Sequence, residues 1–287
     1  TVLLVTNYRP DAQYSMLRFP SLLMECGEKK NLCFKEIHPR RKLNLRLAPP
    51  KVKKWLGYAD KFLLFPPTLK TTIERIRKKE LRNFVLHVTD HSNSLYLPKT
   101  KAIPSLLTCH DVIAIRTSMG DFPSERLSKT GRTLQTMIRS AIPRAGFIAC
   151  DSHSTETDLA RACPETRGRT RTIHLGLQQR SAPSNKPTEV PFDLALTPFL
   201  LHVGNSAWYK NRKSALESFL LHIRDNPRED LRLILVGNSP TKEETSSLPA
   251  ELQALVPEKV HSLPNLSDPE LHYLYERARA LLFPSLM

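Results

Sequence analysis

Phe199-Leu-Leu-His-Val-Gly204-Asn205-Ser-Ala-Trp-Tyr-Lys210-Asn211-Arg212-Lys213 is the stretch that decides the fold class. Its first five residues show no alternation of apolar and polar side chains, which suits a parallel strand covered by helices on both faces. Gly204 then lets the backbone approach a ligand, and Asn205 follows it. From Lys213 onward, Leu216, Phe219 and Leu220 recur on one helical face. A strand that gives way to a helix N-terminus, with Lys210, Asn211 and Arg212 at its mouth, gathers anions. The first N–H groups of a helix lack partners, and its dipole is positive at that end. The plainer alternative, a basic helix start facing water, is disfavoured by the same dipole.

Working outward, the grammar repeats. Strand-like runs are predicted at residues 2–5, 84–88, 105–108, 147–150 and 172–175 before this stretch, and at 232–236, 259–263 and 280–283 after it. Helical periods lie between them at 16–28, 127–142, 213–224 and 269–277. The alternation predicts an α/β protein with doubly wound parallel sheets. Ser267-Asp-Pro-Glu270 reads as a capping box, and Ser154 or Thr155 as a second helix cap with Asp158 in the first turn. At 287 residues the chain accommodates two domains. Pro183, Pro187, Pro191 and Pro198 interrupt the alternation, so a linker at 181–198 is expected to join a first domain at 1–180 to a second at 199–287.

The net charge of +15 is lopsided. Residues 1–190 carry 33 Lys and Arg against 16 Asp and Glu, and residues 191–287 carry 10 against 12. A basic half attracts phosphates on nucleic acid, anionic lipid or a phosphorylated substrate. A basic nucleic-acid-binding module is the alternative function, but no helix-turn-helix or RNA-binding signature accompanies the charge, so no nucleic acid partner is expected. The basic stretch at 40–54 reads as a solvated loop, with a peripheral contact to anionic membrane beside Trp55 as its other reading. No apolar run approaches the roughly 20 residues of a spanning helix. The five cysteines form no C-x-x-C pair and read as reduced thiols. With no exported leader in view, the expected location is cytoplasmic.

Polar residues collect where predicted strands end, which is where open α/β sheets bind ligands. Asn7, Asp90-His91, His110-Asp111, Asp151-Ser152-His153 and Gly237-Asn238 all occupy such exits. His110 is the candidate to contact a sugar hydroxyl or move a proton, with Asp111 orienting it or capping the next segment. Asp151-Ser152-His153 reads as a cap, and His87, His174 and His202 as satisfied core residues. The sequence lacks a G-x-G-x-x-G, a Walker loop, an Asp-x-Asp pair and any Cys/His metal spacing.

In order and spacing, Leu200–Gly204, Lys210-Asn211-Arg212, Leu233–Gly237, Leu266–Leu271 and Ala280–Ser285 resemble family-4 glycosyltransferases. Tyr14–Arg18, His110-Asp111 and Cys150-Asp-Ser152 are similar to the first half of that family. The resemblance implies a GT-B fold, with two Rossmann-like domains facing a cleft, and transfer from a nucleotide-diphosphate sugar with retention of configuration. It assigns Lys210 to the donor diphosphate, with Gly204, Asn205, Asn211, Arg212 and Gly237 around it. His110 and Asp111 would be catalytic, and Asp11, Arg18, Asp90 and His91 would face a glycan or lipid-linked acceptor. No cofactor or metal is implied. The family's loop with two glutamates would lie beyond Met287, so the resemblance implies an incomplete second domain and a weakly active or inactive fragment.

Overall fold

A computed structural model describes residues 1–43, 49–79, 84–98, 103–176 and 184–287. The chain divides into two compact units, Thr1–Leu177 and Gln178–Met287.

The first unit carries six parallel strands: β1 (Val2–Val5), β2 (Phe34–Ile37), β3 (Val85–Val88), β4 (Ser105–Cys109), β5 (Phe147–Cys150) and β6 (Thr170–Thr172). Their order across the sheet is β2-β1-β3-β4-β5-β6. The chain therefore leaves β1 toward one edge, returns to β3 and continues toward the other, so the topological switch lies between β1 and β3. Leu3, Val5, Leu86, Val88, Leu107 and Ile148 are almost wholly buried in one core with Phe65, Leu69 and Ile138 from the covering helices.

In the second unit, β7 (Phe199–Val203), β8 (Arg232–Val236), β9 (Val260–Leu263) and β10 (Ala280–Leu281) are parallel in the order β10-β7-β8-β9. Leu233 and Leu235 pack with Leu216, Phe219 and Leu220 of the helix Arg212–Asp225, while Ile234, Phe199 and Leu201 pack with Leu274 on the other side. A sheet buried on both faces needs apolar residues at consecutive positions, which is why these strands read as unbroken runs. The switch here lies between β7 and β10.

Several expectations need correction. β2, with its single strongly apolar ends Phe34 and Ile37, is a sheet-edge strand that gave no continuous apolar run. β6 ends at Thr172, before the apolar Ile173 and Leu175, which are exposed. The expected loop at 40–54 is helical from Pro50, where proline at the first turn loses no hydrogen bond; residues 44–48 of that expectation lie outside the described residues. Ser152, rather than Ser154 or Thr155, caps the helix His153–Ala162 by accepting from Thr155 N, and Asp158 pairs with Arg116 instead of facing the dipole. The box at Ser267 and Glu270 is present. Of the expected linker, residues 181–183 lie outside the described residues, while Val190, Phe192 and Leu194 pack into the second unit's core.

Candidate functional site

The second unit gathers the residues around Lys210 at its switch point. β7 ends at Val203 and gives way to Gly204, a one-turn helix carries Trp208–Lys210, and Asn211 takes a left-handed conformation (φ 51°) before the helix Arg212–Asp225. Asparagine tolerates that conformation where a branched residue would not. Asn205 Oδ1 accepts from Ala207 N at 3.1 Å and turns the chain toward Lys210. The Lys210 stem lies along Gly204, with its Cγ and Cδ 3.7 Å from where a Cβ at position 204 would sit. Its ammonium rests 4.8 Å from the centre of the Phe283 ring and 5.8 Å from that of Tyr209. Among the described residues no carboxylate pairs with it.

The β10 side is tied to the same turn. Asn211 Nδ2 donates to Pro284 O at 3.1 Å, and Leu286 N and Ser285 Oγ donate to Tyr209 O at 2.8 and 3.0 Å. Gly237, at φ +133°, closes the floor: a Cβ there would lie 2.9 Å from Gly204 O. His202 is fully buried beneath Gly204, and its Nδ1 faces Leu282 O at 2.9 Å. A ring nitrogen facing a carbonyl must donate, so Nε2 of the neutral ring is an acceptor, and among the described residues it has no partner. Burial first, and then the Arg212 and Lys210 charges, push the His202 pKa down, although the Leu282 bond opposes them. His202 is therefore not the fully satisfied core residue expected.

Arg212 departs further from its expected role. It is buried, its Nε and Nη2 donate to Glu244 at 2.9 and 2.6 Å, and its Nη1 donates to Asn238 O at 2.7 Å. Its donors are committed to holding the β8 exit loop, so it does not join Lys210 as a free cation.

In the first unit, Asn7 at the β1 exit donates through Nδ2 to Asp90 Oδ2 at 2.6 Å, and Asn93 Nδ2 donates to Asn7 Oδ1 at 2.9 Å. This network spans the β1/β3 switch. Asp90 is buried, which disfavours its charge; His91, the Asn7 amide and the Ser92 N–H outweigh that and hold its carboxyl below the usual range. His91 is buried beside it, with Nδ1 3.4 Å from Asp90 Oδ1. Asp90 thus sits inside a fixed network, whereas His91 Nδ1 is buried without a hydrogen-bond partner among the described residues.

His110 at the β4 exit has Nδ1 2.6 Å from Asp151 Oδ2 and Nε2 3.0 Å from Thr89 O. Two acceptors facing one ring fit the doubly protonated form. Burial opposes that charge, but the Asp151 hydrogen bond and charge, the Asp90 charge and the Thr89 carbonyl raise the pKa above the ordinary histidine value. Asp151 is thus the partner of His110, while Asp111 accepts from Ile113 N at 3.0 Å as a turn cap. His87 is the satisfied core residue expected, bonded to Thr108 at 2.8 Å, whereas His174 is exposed.

A cavity of about 670 Å³ also belongs to the first unit. Asp11 lines it with Tyr8, Tyr58, Arg41, Lys53 and Lys61, whereas Arg18, half-buried on the helix Tyr14–Glu28, is not among its lining residues. Sequence reasoning reached only Asp11 here, although the basic run with its interleaved aromatics was the available signal.

No protein-family model matches the sequence, and no curated protein matches it. Solved structures do. Sucrose-phosphate synthase from Thermosynechococcus elongatus superposes with a TM-score of 0.57 at 16% identity, over 99% of this chain and 75% of that one. The chain has the GT-B fold. E. coli trehalose-6-phosphate synthase bound with UDP-2-fluoro glucose gives a TM-score of 0.54 at 8% identity, and a UDP-forming trehalose-phosphate synthase from Burkholderia xenovorans gives 0.52 at 11%. The chain spans 58% of the length of each of these two GT-B synthases. Among the described residues no helix is long and apolar enough to cross a membrane, and no group of three His, Cys, Asp or Glu could hold a metal.

Proposed function

We propose that the chain is the GT-B framework of a glycosyltransferase that takes a sugar from a nucleotide-diphosphate donor. The second unit serves as the donor side and the first as the acceptor side. Lys210 carries the reading. It is a cation without a carboxylate partner among the described residues, held after the end of β7 and at the mouth of a helix, beside a glycine that opens the backbone. Backbone N–H groups and the helix dipole add to its field, and a diphosphate departing from the sugar would be stabilised by all three. The likeness to family-4 enzymes supports retention of configuration and a glycan or lipid-linked acceptor. The mechanism needs no metal or cofactor, since the charge of the leaving diphosphate is met by Lys210 and main-chain donors. The excess of cations in the first half supports a peripheral contact to anionic membrane, and the location proposed is cytoplasmic.

His110 enters this proposal as a first-unit side chain that Asp151 and the Phe19 ring hold rigid at the β4 exit. The test is titration calorimetry of the full chain with UDP, and with GDP in parallel. Lys210→Ala should weaken binding about tenfold or more, the scale of one charge-assisted hydrogen bond, with the fold intact by circular dichroism. Nucleotide binding that is equal in the variant and the parent rules out the assignment.

A further inference from the structure

The cavity in the first unit is chemically lopsided. Arg41, Lys53, Lys54 and Lys61 line it, and Asp11 is the single acid among its lining residues. Asp11 is already engaged, with its Oδ2 2.8 Å from Lys61 Nζ. The nearby Asp60 contributes nothing to the opening, because its carboxylate is buried and turned inward. It accepts from the Tyr8 hydroxyl at 2.9 Å and from the N–H groups of Lys42 and Leu43 at 3.2 Å each. Those bonds fasten the Arg41–Leu43 strip to the helical wall and so fix one cation in place.

Aromatic rings position others. Lys61 Nζ lies 5.0 Å from the Tyr58 ring centre and 5.6 Å from that of Tyr8, and Lys54 Nζ lies 5.8 Å from Tyr58. Four like charges share one concavity with one carboxylate between them, an arrangement that repels itself until an anion enters. The cavity stands beyond the carboxyl end of β1, next to the Tyr8–Asp11 segment, on the edge where α/β sheets take ligands.

We infer that this cavity holds a phosphoryl group, and that the acceptor of the proposed transfer is a phosphorylated compound. The inference deepens the proposed function and rests on it for the word acceptor; the phosphoryl site itself stands on the first unit's residues alone. The group can belong to a free sugar phosphate or to a lipid headgroup, and the experiment separates the two.

The full chain is titrated with glucose 6-phosphate by calorimetry, and in a second arm it is co-sedimented with vesicles of phosphatidylcholine with and without phosphatidylglycerol. The variant is Lys53→Gln/Lys54→Gln, two exposed positions whose substitution leaves the core untouched. Loss of two charge-assisted contacts should weaken phosphoryl binding tenfold or more, with UDP binding retained. Lys210→Ala should show the reverse pattern. Binding of glucose 6-phosphate that the double variant weakens assigns a free sugar phosphate. Sedimentation that depends on phosphatidylglycerol and on these lysines, without binding of glucose 6-phosphate, assigns a lipid-borne group. Absence of both, or binding that the double variant leaves unchanged, overturns the inference. Failure of UDP to bind the parent chain would instead remove the donor reading and leave the phosphoryl site standing.

Discussion

Replacing Arg212 with methionine separates two roles that the sequence alone left merged. The guanidinium side chain is 2% exposed and that of Glu244 is 15% exposed. Four donor contacts join Arg212 to Glu244, Asn238 and Ser239. Methionine preserves length but abandons the Glu244 carboxylate and two carbonyls. Breaking one side of a buried ion pair costs about 3–5 kcal/mol. At roughly 4 °C or more per kcal/mol for a domain of this size, the second unit should melt roughly 12 °C or more lower. The effect carries a pH signature. Burial disfavours the Glu244 charge, yet the Arg212 bond, the Thr241 N–H and the Arg212 charge hold its carboxyl below the usual range. A depressed folded value contributes stability that is complete above the unfolded value of about 4.3 and is lost as pH falls through the folded one. The gap between parent and variant should therefore narrow in that acid window. Arg212→Met/Glu244→Leu should recover much of the loss, since an apolar pair of similar volume often replaces a buried ion pair. Differential scanning calorimetry between pH 3 and 8 reads all three. An unshifted transition together with weakened UDP binding would refute the reasoning and return Arg212 to the role of ligand.

Asp151→Asn should lower the His110 pKa. Because the folded value is raised, the stabilisation is full below about pH 6.5 and disappears as pH rises through the folded value; a gap in melting temperature that stays constant from pH 5 to 9 would contradict this. Gly237→Ala should cost about 1–3 kcal/mol, since it forces a side chain onto φ +133° with its Cβ 2.9 Å from Gly204 O. Gly204→Ala meets only ordinary contacts at 3.5 Å or more and should fold normally, and urea midpoints of the two variants test the contrast. Burial, and then the His110 charge, lower the His87 pKa from 6.5 to about 4. Acid should therefore remove about 3 kcal/mol between those values as the unfolded chain takes up the proton first, and His87→Gln should flatten that limb of the stability curve.

The strands with unbroken apolar runs were legible because burial on two faces leaves no room for polar positions, as at Leu233-Ile-Leu. β2 was not, since Lys35 and Glu36 at its centre are exposed on a sheet edge. The Gly204–Lys210 turn could be read because glycine and a cation at a strand–helix junction have few other uses. Asp151 escaped as the partner of His110 because 41 residues separate them, and only the pairing of β4 with β5, which sets Cys109 against Cys150, brings the next residues of each strand together. Arg212 misled for a related reason. A basic residue at a helix mouth looks the same in sequence whether it meets a ligand or, as here, a glutamate 32 positions away.

β10 pairs only two residues with β7, and both are exposed. Yet this short edge anchors the His202 ring through Leu282 O, the Asn211 amide through Pro284 O and the Tyr209 carbonyl through Leu286 N. Fraying of that edge would untie all three fastenings at once and let the Lys210 ammonium swing loose. The main-chain protons of Leu282 and Leu286 should then exchange with solvent at one common rate, and an anion bridging the two sides of the turn should slow both together.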